Sequence, residues 1–546
     1  MRIFVEQYRY EKELLYELFQ SKFIKDVDEH HAVLQCVGFY TNGAQEIYIV
    51  LPKLFEKDGK LFNDIDVEKF AQQNYRNVLK GNKEKIAFVH DFTILLFQTL
   101  MKYQRENQNE HPNEHPNELS ILSNMEDRKL SMIETIFSVI KFHKQNQHLY
   151  IKEKGIDKKK TNKIHWNKTI KKNMPVMYDE NVHYFHFKYS NSRLSQNDIV
   201  LMVFYSLLNK IKCTYNINIS LDSHLPIMPL REFIKFERKL PKILKSIRSL
   251  YIRDDMKQLV KLLNAYYQYE SISAKKDSVG YIVVFNFNLL FEDMVNEILS
   301  DKEHLAVLKV QKDGKIIDHI FSGKSFVTGS KIFFIGDSKY YKGEIVHTNS
   351  IFKQFTYSRN IIQEFEKNRG YFDKHNILLR EDFSRGYDAI PNFFVFGDIN
   401  HEEYKKIPEI PIVPFNQPLI TKQFENVFFD RDTFHVFYFK INLLFLMKAY
   451  TIKTQKIKQQ YQSLFRKIVR TRIADYYNHV YDMFILQEET LKNFIKSNYY
   501  IFWGKVFFIG EDRAVLVLEK NKEDSNLVKE CVKSNSNILI NSIVFK

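Results

Sequence analysis

Cysteine is scarce: Cys36, Cys213 and Cys531 are spread over 546 positions with no C-x-x-C pair. Neither a disulfide framework nor a thiolate zinc site can be built from them, and so few thiols suit a reducing compartment. Long hydrophobic runs are also missing. The two longest, Phe88 to Met101 and Phe434 to Met447, are broken by His90 and Asp91 and by His435 and Lys440. Both are too short and too polar to span a bilayer. The opening MRIFVEQYRYEKELLYELF is charged throughout and lacks the apolar centre of a signal peptide. A soluble cytoplasmic protein with no membrane partner is expected. A phosphate-binding loop is lacking too. Gly323-Lys324-Ser325 matches the end of GxxxxGK[ST], but the first glycine would fall on Asp318. No nucleotide motor is expected in this chain.

Aromatic and basic residues, by contrast, are plentiful. There are 47 Phe and 32 Tyr, and 81 Lys+Arg against 66 Asp+Glu leave a net charge of +15. Hydrophobic residues at 44% and charged residues at 27% give a globular balance and exclude a wholly disordered chain. The length calls for two or three cores. The basic excess suits an anionic partner such as nucleic acid. It also accompanies many Ile and Asn, residues of AT-rich codons, so charge alone does not decide the partner.

Along the chain, residues 32–52 read as two strands around a Thr41-Asn42-Gly43 turn. Lys85 to Tyr103 reads as a helix. Asn-Glu-His-Pro then occurs at 109–112 and again at 113–116, which gives His111 and His115 an i,i+4 spacing. Pro112 and Pro116 forbid a regular helix there, so a polar surface loop is expected. Residues 119–150 read as helical. The basic stretch Lys152 to Lys172, with Trp166 embedded, could track a phosphate backbone or serve as a solvated connector. Helices are expected over Ile199 to Ile211, Leu240 to Tyr267, Tyr438 to Tyr450 and Gln455 to Leu486. A final strand pair is expected at Val506 to Ile509 and Ala514 to Leu518.

The chemistry gathers between Tyr281 and Ile362. In FNFNLLFEDMVNEILS, Leu290, Met294 and Ile298 form one helical row and Phe291, Val295 and Leu299 the next, with Glu292 beside the stripe. Residues 315–321 and 331–341 read as strands joined by a glycine-containing connection. In a hairpin of these strands, Asp318 and Asp337 are about equally far from the turn, and Asp337 and Lys339 share a side. Three carboxylates and a lysine would then meet. Such carboxylates repel one another unless a cation lies between them. Mg²⁺ is held by hard oxygens, usually one or two carboxylates with waters and phosphate oxygens. An Asp closing the apolar run Ile332-Phe333-Phe334-Ile335 also demands a reason.

The order Glu292, Asp318, Asp337-Ser338-Lys339 resembles the PD-(D/E)xK nuclease superfamily, and NFNLLFEDMV with IGDSKYY is similar to the McrC and LlaJI-type restriction subunits. Gln354 and Tyr357 match a QxxxY element that buttresses such sites. IHWNKTIKK (164–172) and YFKINLLFLMKAY (438–450) also look like LlaJI-type text. Two positions depart from the family pattern: Ile317 stands where a proline is usual, and Ser338 replaces alanine. Asp313 is an alternative to Asp318.

The resemblance implies a mixed α/β protein with a restriction-endonuclease-like mixed sheet flanked by helices. The chain is read as an N-terminal β-containing module (1–105), a polar repeat loop (106–118), a mainly helical middle (119–275, with the basic connector 152–172), a nuclease core (276–420) and a tail that completes or caps it (421–546); by resemblance, the N-terminal module would contact and regulate a partner GTPase. The resemblance implies Mg²⁺-dependent cleavage of double-stranded DNA, Mn²⁺ being a substitute metal, within an anti-phage restriction system. Glu292, Asp318 and Asp337 would hold the metal and Lys339 the hydrolytic water. A separate McrB-like AAA+ GTPase would be the partner. An inactive DNA-binding or assembly subunit and a stand-alone repair nuclease are the alternatives.

Overall fold

The computed structural model describes residues 1–41, 47–110, 121–123, 132–146, 149, 152–157, 164–194, 198–215, 219–222, 225–237, 239–247, 251, 253–273, 280–301, 306–309, 316–343, 348–381, 386–399, 412–413, 420–422, 424–452 and 454–545. The chain is a mixed α/β protein. Asn42, Gly43, His111, His115, Lys158 to Lys160, Lys163 and Asp313 lie outside the described residues.

The N-terminal sheet contains β1 (Arg2–Val5), β2 (Val37–Thr41) and β3 (Ile47–Leu51), with β1 parallel and β2 antiparallel to β3. Helix α1 (Lys83–Glu110) runs past the expected boundary at 105. The expected helix over 119–150 divides into β4 (Ile121–Ser123) and α2 (Met132–Gln145). Phe39 of β2 packs between α1 and α2, its ring centroid 6.3 Å from that of Phe97 and 4.8 Å from that of Phe137. The middle region also departs from a purely helical reading. Strands Lys152–Asp157 and Tyr189–Leu194 pair there around the short helix α3 (Trp166–Lys172).

Strand β5 (Gly280–Val284) joins the N-terminal sheet between β2 and β4, although the sequence reading puts it in the core segment from 276. The cause is a close backbone approach. A Cβ on Gly38 would lie 2.1 Å from the Ile282 carbonyl oxygen, and Gly38 has φ +143°. Only glycine lets β5 pair there. Helix α4 (Phe287–Leu299) follows at once and buries Phe287, Leu290, Phe291, Met294, Val295, Ile298 and Leu299.

The second sheet starts with β6 (His319–Lys324) antiparallel to β7 (Lys331–Lys339). Helix α5 (Thr348–Lys367) crosses over to β8 (Asn392–Asp398), parallel to β7. Short strands β9 (Ile412–Val413) and β10 (Ile420–Lys422) pair with β11 (His435–Asn442), which runs parallel to β8. The core sheet thus takes in residues beyond 420. Strands β7, β8 and β11 are buried along nearly their whole length, which is why their sequences are continuous apolar runs rather than alternating ones.

That burial overturns the helix expected from Tyr438. Residues up to Asn442 are strand, and helix α6 (Leu443–Thr451) begins only there, because the Asn442 side chain accepts from the N–H groups of Leu444 (2.9 Å) and Phe445 (3.1 Å). Likewise the helix expected to Leu486 stops as α7 (Gln455–Val480). Residues Tyr481–Gln487 form β12 in a C-terminal sheet with β13 (Val506–Phe508), β14 (Arg513–Glu519) and β15 (Leu539–Ile543). No helix among the described residues is long and apolar enough to cross a membrane.

An ionic cluster fixes α4 in place. Glu297 pairs with Lys102 of α1 and Lys458 of α7, while the Tyr450 hydroxyl donates to Asp293 (2.6 Å). Arg466 donates to the Leu299 carbonyl, capping the helix, and to Asp301 (both 2.6 Å). Gly38→Ala is expected to lower stability by about 2–3 kcal/mol, because the added methyl must push β5 away from β2. Urea unfolding followed by circular dichroism checks this; an unchanged midpoint would contradict the close approach.

Candidate active site

The hairpin register pairs His319 with Gly336. One residue further on, Asp318 and Asp337 stand opposite each other at the mouth of the hairpin. Asp318 lies just before β6 rather than inside a strand from 315. Its neighbours there bond elsewhere: the Tyr357 hydroxyl donates to the Ile316 carbonyl (2.8 Å), and the Ile317 N–H donates to the Lys309 carbonyl (3.0 Å). Asp318 itself accepts from the Ser338 N–H (3.1 Å). Gly336, beside Asp337, leaves room for the Phe393 ring, which a Cβ would meet at 2.5 Å.

Asp337 is 2% exposed. Its Oδ2 is ion-paired with Lys339. The two share a side because they are two residues apart on one strand. Glu292, half-buried on α4, faces this pair. Burial raises its pKa, and the nearby Asp337 raises it further, against Lys339, Lys353 and Lys309. Asp318 is affected most: burial, then Asp337, then Glu292 push its carboxyl from 3.8 up to about 8. Two carboxylates this close in a dry site cannot both ionise freely. Asp318 therefore carries a proton at neutral pH when lysines are the only cations present.

Gln354 and Tyr357 are both buried on α5. The Gln354 amide donates to the Phe393 carbonyl (3.4 Å), and Tyr357 holds the Ile316 carbonyl as above. They grip the backbones of β8 and of the Asp318 approach. Two further residues were missed in the sequence. The Lys353 ammonium lies 5.3 Å from the Tyr357 ring centroid and within electrostatic reach of Asp337 and Asp318. Burial alone would depress Lys353; Tyr357 and the two carboxylates outweigh it and raise its pKa. Its i,i+4 spacing to Tyr357 on one helix was the available signal. Lys309 donates to Asn296 (3.1 Å), and burial lowers its pKa against the pull of Asp318, Asp293 and Glu292. Nothing local in its sequence marks it.

On the other face of the hairpin, His319 is buried and pairs with the Ser338 hydroxyl (2.6 Å). Burial, then Lys309, hold its pKa near 3, so it is neutral. Ser325, the last residue of the Gly-Lys-Ser text, caps the hairpin turn by accepting from Val327 (3.0 Å) and Thr328 (3.2 Å) N–H groups.

Among the described residues, no three Asp, Glu, His or Cys side chains come close enough to form a ready-made metal cage. Glu292, Asp318 and Asp337 are electrostatic neighbours, not one coordination shell. Asp318 and Asp337 are the residues that could hold a hard divalent cation, for which one or two carboxylates suffice. The buried Asp337 carboxylate, now held by the Lys339 ammonium, is a hard oxygen donor of the kind such a cation takes. No protein-family model, curated protein or solved structure matches the chain.

Folding raises the Asp318 pKa, so between 3.8 and about 8 the folded state binds more protons than the unfolded one. The contribution of this group is therefore full below 3.8 and lost as pH rises through about 8. In EDTA, Asp318→Asn should melt several degrees above wild type at pH 8, with the gap closing toward pH 4. A gap independent of pH in thermal scans would reject the buried, proton-bearing carboxyl.

Proposed function

We propose that this chain is a metal-dependent endonuclease that hydrolyses phosphodiester bonds of double-stranded DNA, the nuclease subunit of a McrBC- or LlaJI-like restriction system. One observation carries the reading: Asp318 and Asp337 face each other across a buried hairpin, with Lys339 on the same strand side as Asp337. The surrounding plan supports it. An acid-bearing helix, an antiparallel hairpin, a crossover helix and a parallel strand follow in the order expected of a restriction-endonuclease-like core.

In this reading Asp318 and Asp337 hold Mg²⁺, and Glu292 at the rim orients the water or the phosphate. Bound there, the cation would polarise the scissile phosphodiester and acidify a water. Lys339, released from its pairing with Asp337, would hold the attacking water and stabilise the developing oxyanion. Gln354 and Tyr357 act through the backbone they grip and are positioning residues. The family resemblance adds a separate AAA+ GTPase of the McrB kind as partner and a cytoplasmic setting.

A second reading, an inactive DNA-binding or assembly subunit, draws on the lack of a three-acid shell among the described residues. Plasmid digestion with Mg²⁺, with and without the partner GTPase and GTP, separates the two. Lys339→Ala and Asp337→Ala should each lower cleavage by about 100-fold or more while keeping the wild-type circular dichroism spectrum. Mg²⁺ should also raise the melting temperature of wild type at pH 8 but not that of Asp337→Ala. Cleavage unchanged in both variants would remove this site; stimulation of the GTPase without any cleavage would favour the inactive subunit.

A further inference from the structure

Beside Lys339 lies a cleft of about 370 Å³ whose two walls come from opposite parts of the chain. Glu292, Lys339 and Tyr340 line one wall; Glu6, Gln7 and Lys53 of the N-terminal module line the other. The walls are joined by a dry junction. The Tyr340 hydroxyl donates to Glu6 (2.7 Å), and the Lys53 N–H donates to the Tyr340 oxygen (3.0 Å) and to Glu6 (3.3 Å). Glu6 is 4% exposed, and Tyr340 directly follows Lys339 in the chain. Lys53 is thereby fixed relative to the candidate catalytic lysine by hydrogen bonds of its own backbone.

Its side chain is held as well. The Lys53 ammonium lies 4.5 Å from the Tyr340 ring centroid and donates to the Gln7 amide oxygen (3.1 Å). Nearby Lys342 is committed to Glu56. The Lys53 head bonds an amide rather than a carboxylate; burial lowers its pKa, and the nearby Glu6 carboxylate partly opposes this. A half-buried ammonium bonded to an amide, with Glu6 attracting it through space rather than pairing with it, faces the polar cleft that holds the candidate nuclease lysine and can take an anionic ligand there. A lysine offers a phosphate a compact charge with three donors.

We propose that Lys53 binds a phosphate of the DNA backbone in the Lys339 cleft, so that the N-terminal module supplies part of the nuclease site. This rests on the nuclease reading, and the ligand class is the duplex phosphodiester backbone. The bland role for Lys53, packing against Tyr340, would leave DNA affinity unmoved.

The test uses the full chain carrying Lys53→Ala or Lys53→Arg. Alanine keeps the backbone N–H that serves Glu6 and Tyr340, so folding should persist. Fluorescence anisotropy with a labelled duplex, over a salt series without divalent cation, reads binding. Plasmid cleavage with Mg²⁺ reads KM and kcat. Lys53→Ala should weaken binding about five- to tenfold and reduce the salt slope by about one. It should raise KM more than it lowers kcat, and Lys53→Arg should remain near wild type. Wild-type affinity and slope in Lys53→Ala would overturn the proposal, as would equal losses in both variants with a lowered melting temperature. If wild type cleaves nothing, the nuclease reading fails, and the anisotropy series alone decides whether Lys53 is a phosphate ligand.

Discussion

Two aspartates opposite each other at the end of a buried hairpin are an electrostatic liability, and much of the core is arranged around it. Asp318 and Asp337 would repel strongly if both were ionised where water is excluded. The protein answers with Lys339 against Asp337, Lys353 nearby, a backbone N–H for Asp318 and a raised Asp318 pKa. Replacing the pair by apolar residues would be the simpler way to a stable sheet. That the sequence keeps both is the strongest argument that they serve chemistry.

The fold places this pair by burying everything around it. Strand β7 is buried from Ile332 to Lys339, so Asp337 and Lys339 carry their charges at its buried end. Helix α4 is pinned on another face by Glu297 and Asp293, in contact with α1, α6 and α7, and Arg466 caps its last turn. Those contacts set the rotation of α4 and leave Glu292 turned toward Asp337. The rim acid is thus positioned by a network in which it takes no part itself. Strand β5 connects the other side: paired at Gly38 with the N-terminal sheet, it hands the chain directly to α4.

How much of this was legible depended on whether the signal was local. The stripe of α4, the β6–β7 hairpin and the D-x-K at the end of IFFI could be read because periodicity and a charged residue closing an apolar run are local features. Strand β11 could not be read, since HVFYFKIN is apolar on both faces and periodicity cannot tell such a run from a buried helix. Asn442 as a helix cap was the overlooked clue. The pairing of β5 with β2 depends on Gly38, more than two hundred positions before β5, and no window on β5 contains it. Lys309 and Lys53 are set near the acids by tertiary contacts alone, so the site was legible as a motif but not as a charge balance.

That balance is informative. Glu292, Asp318 and Asp337 stand against Lys309, Lys339 and Lys353, three carboxylates against three ammonium groups within mutual reach. With a proton on Asp318 the group is slightly positive, already a mild attractor for phosphate. A divalent cation between the aspartates would displace that proton and free Lys339 from Asp337, leaving the site more positive by one charge. The same lysine would then neutralise an aspartate in one state and face the substrate in the other. On the proposed nuclease reading, a site that would become more cationic on binding a metal would be matched to a polyanion, and it would hold duplex DNA best when equipped to cut it.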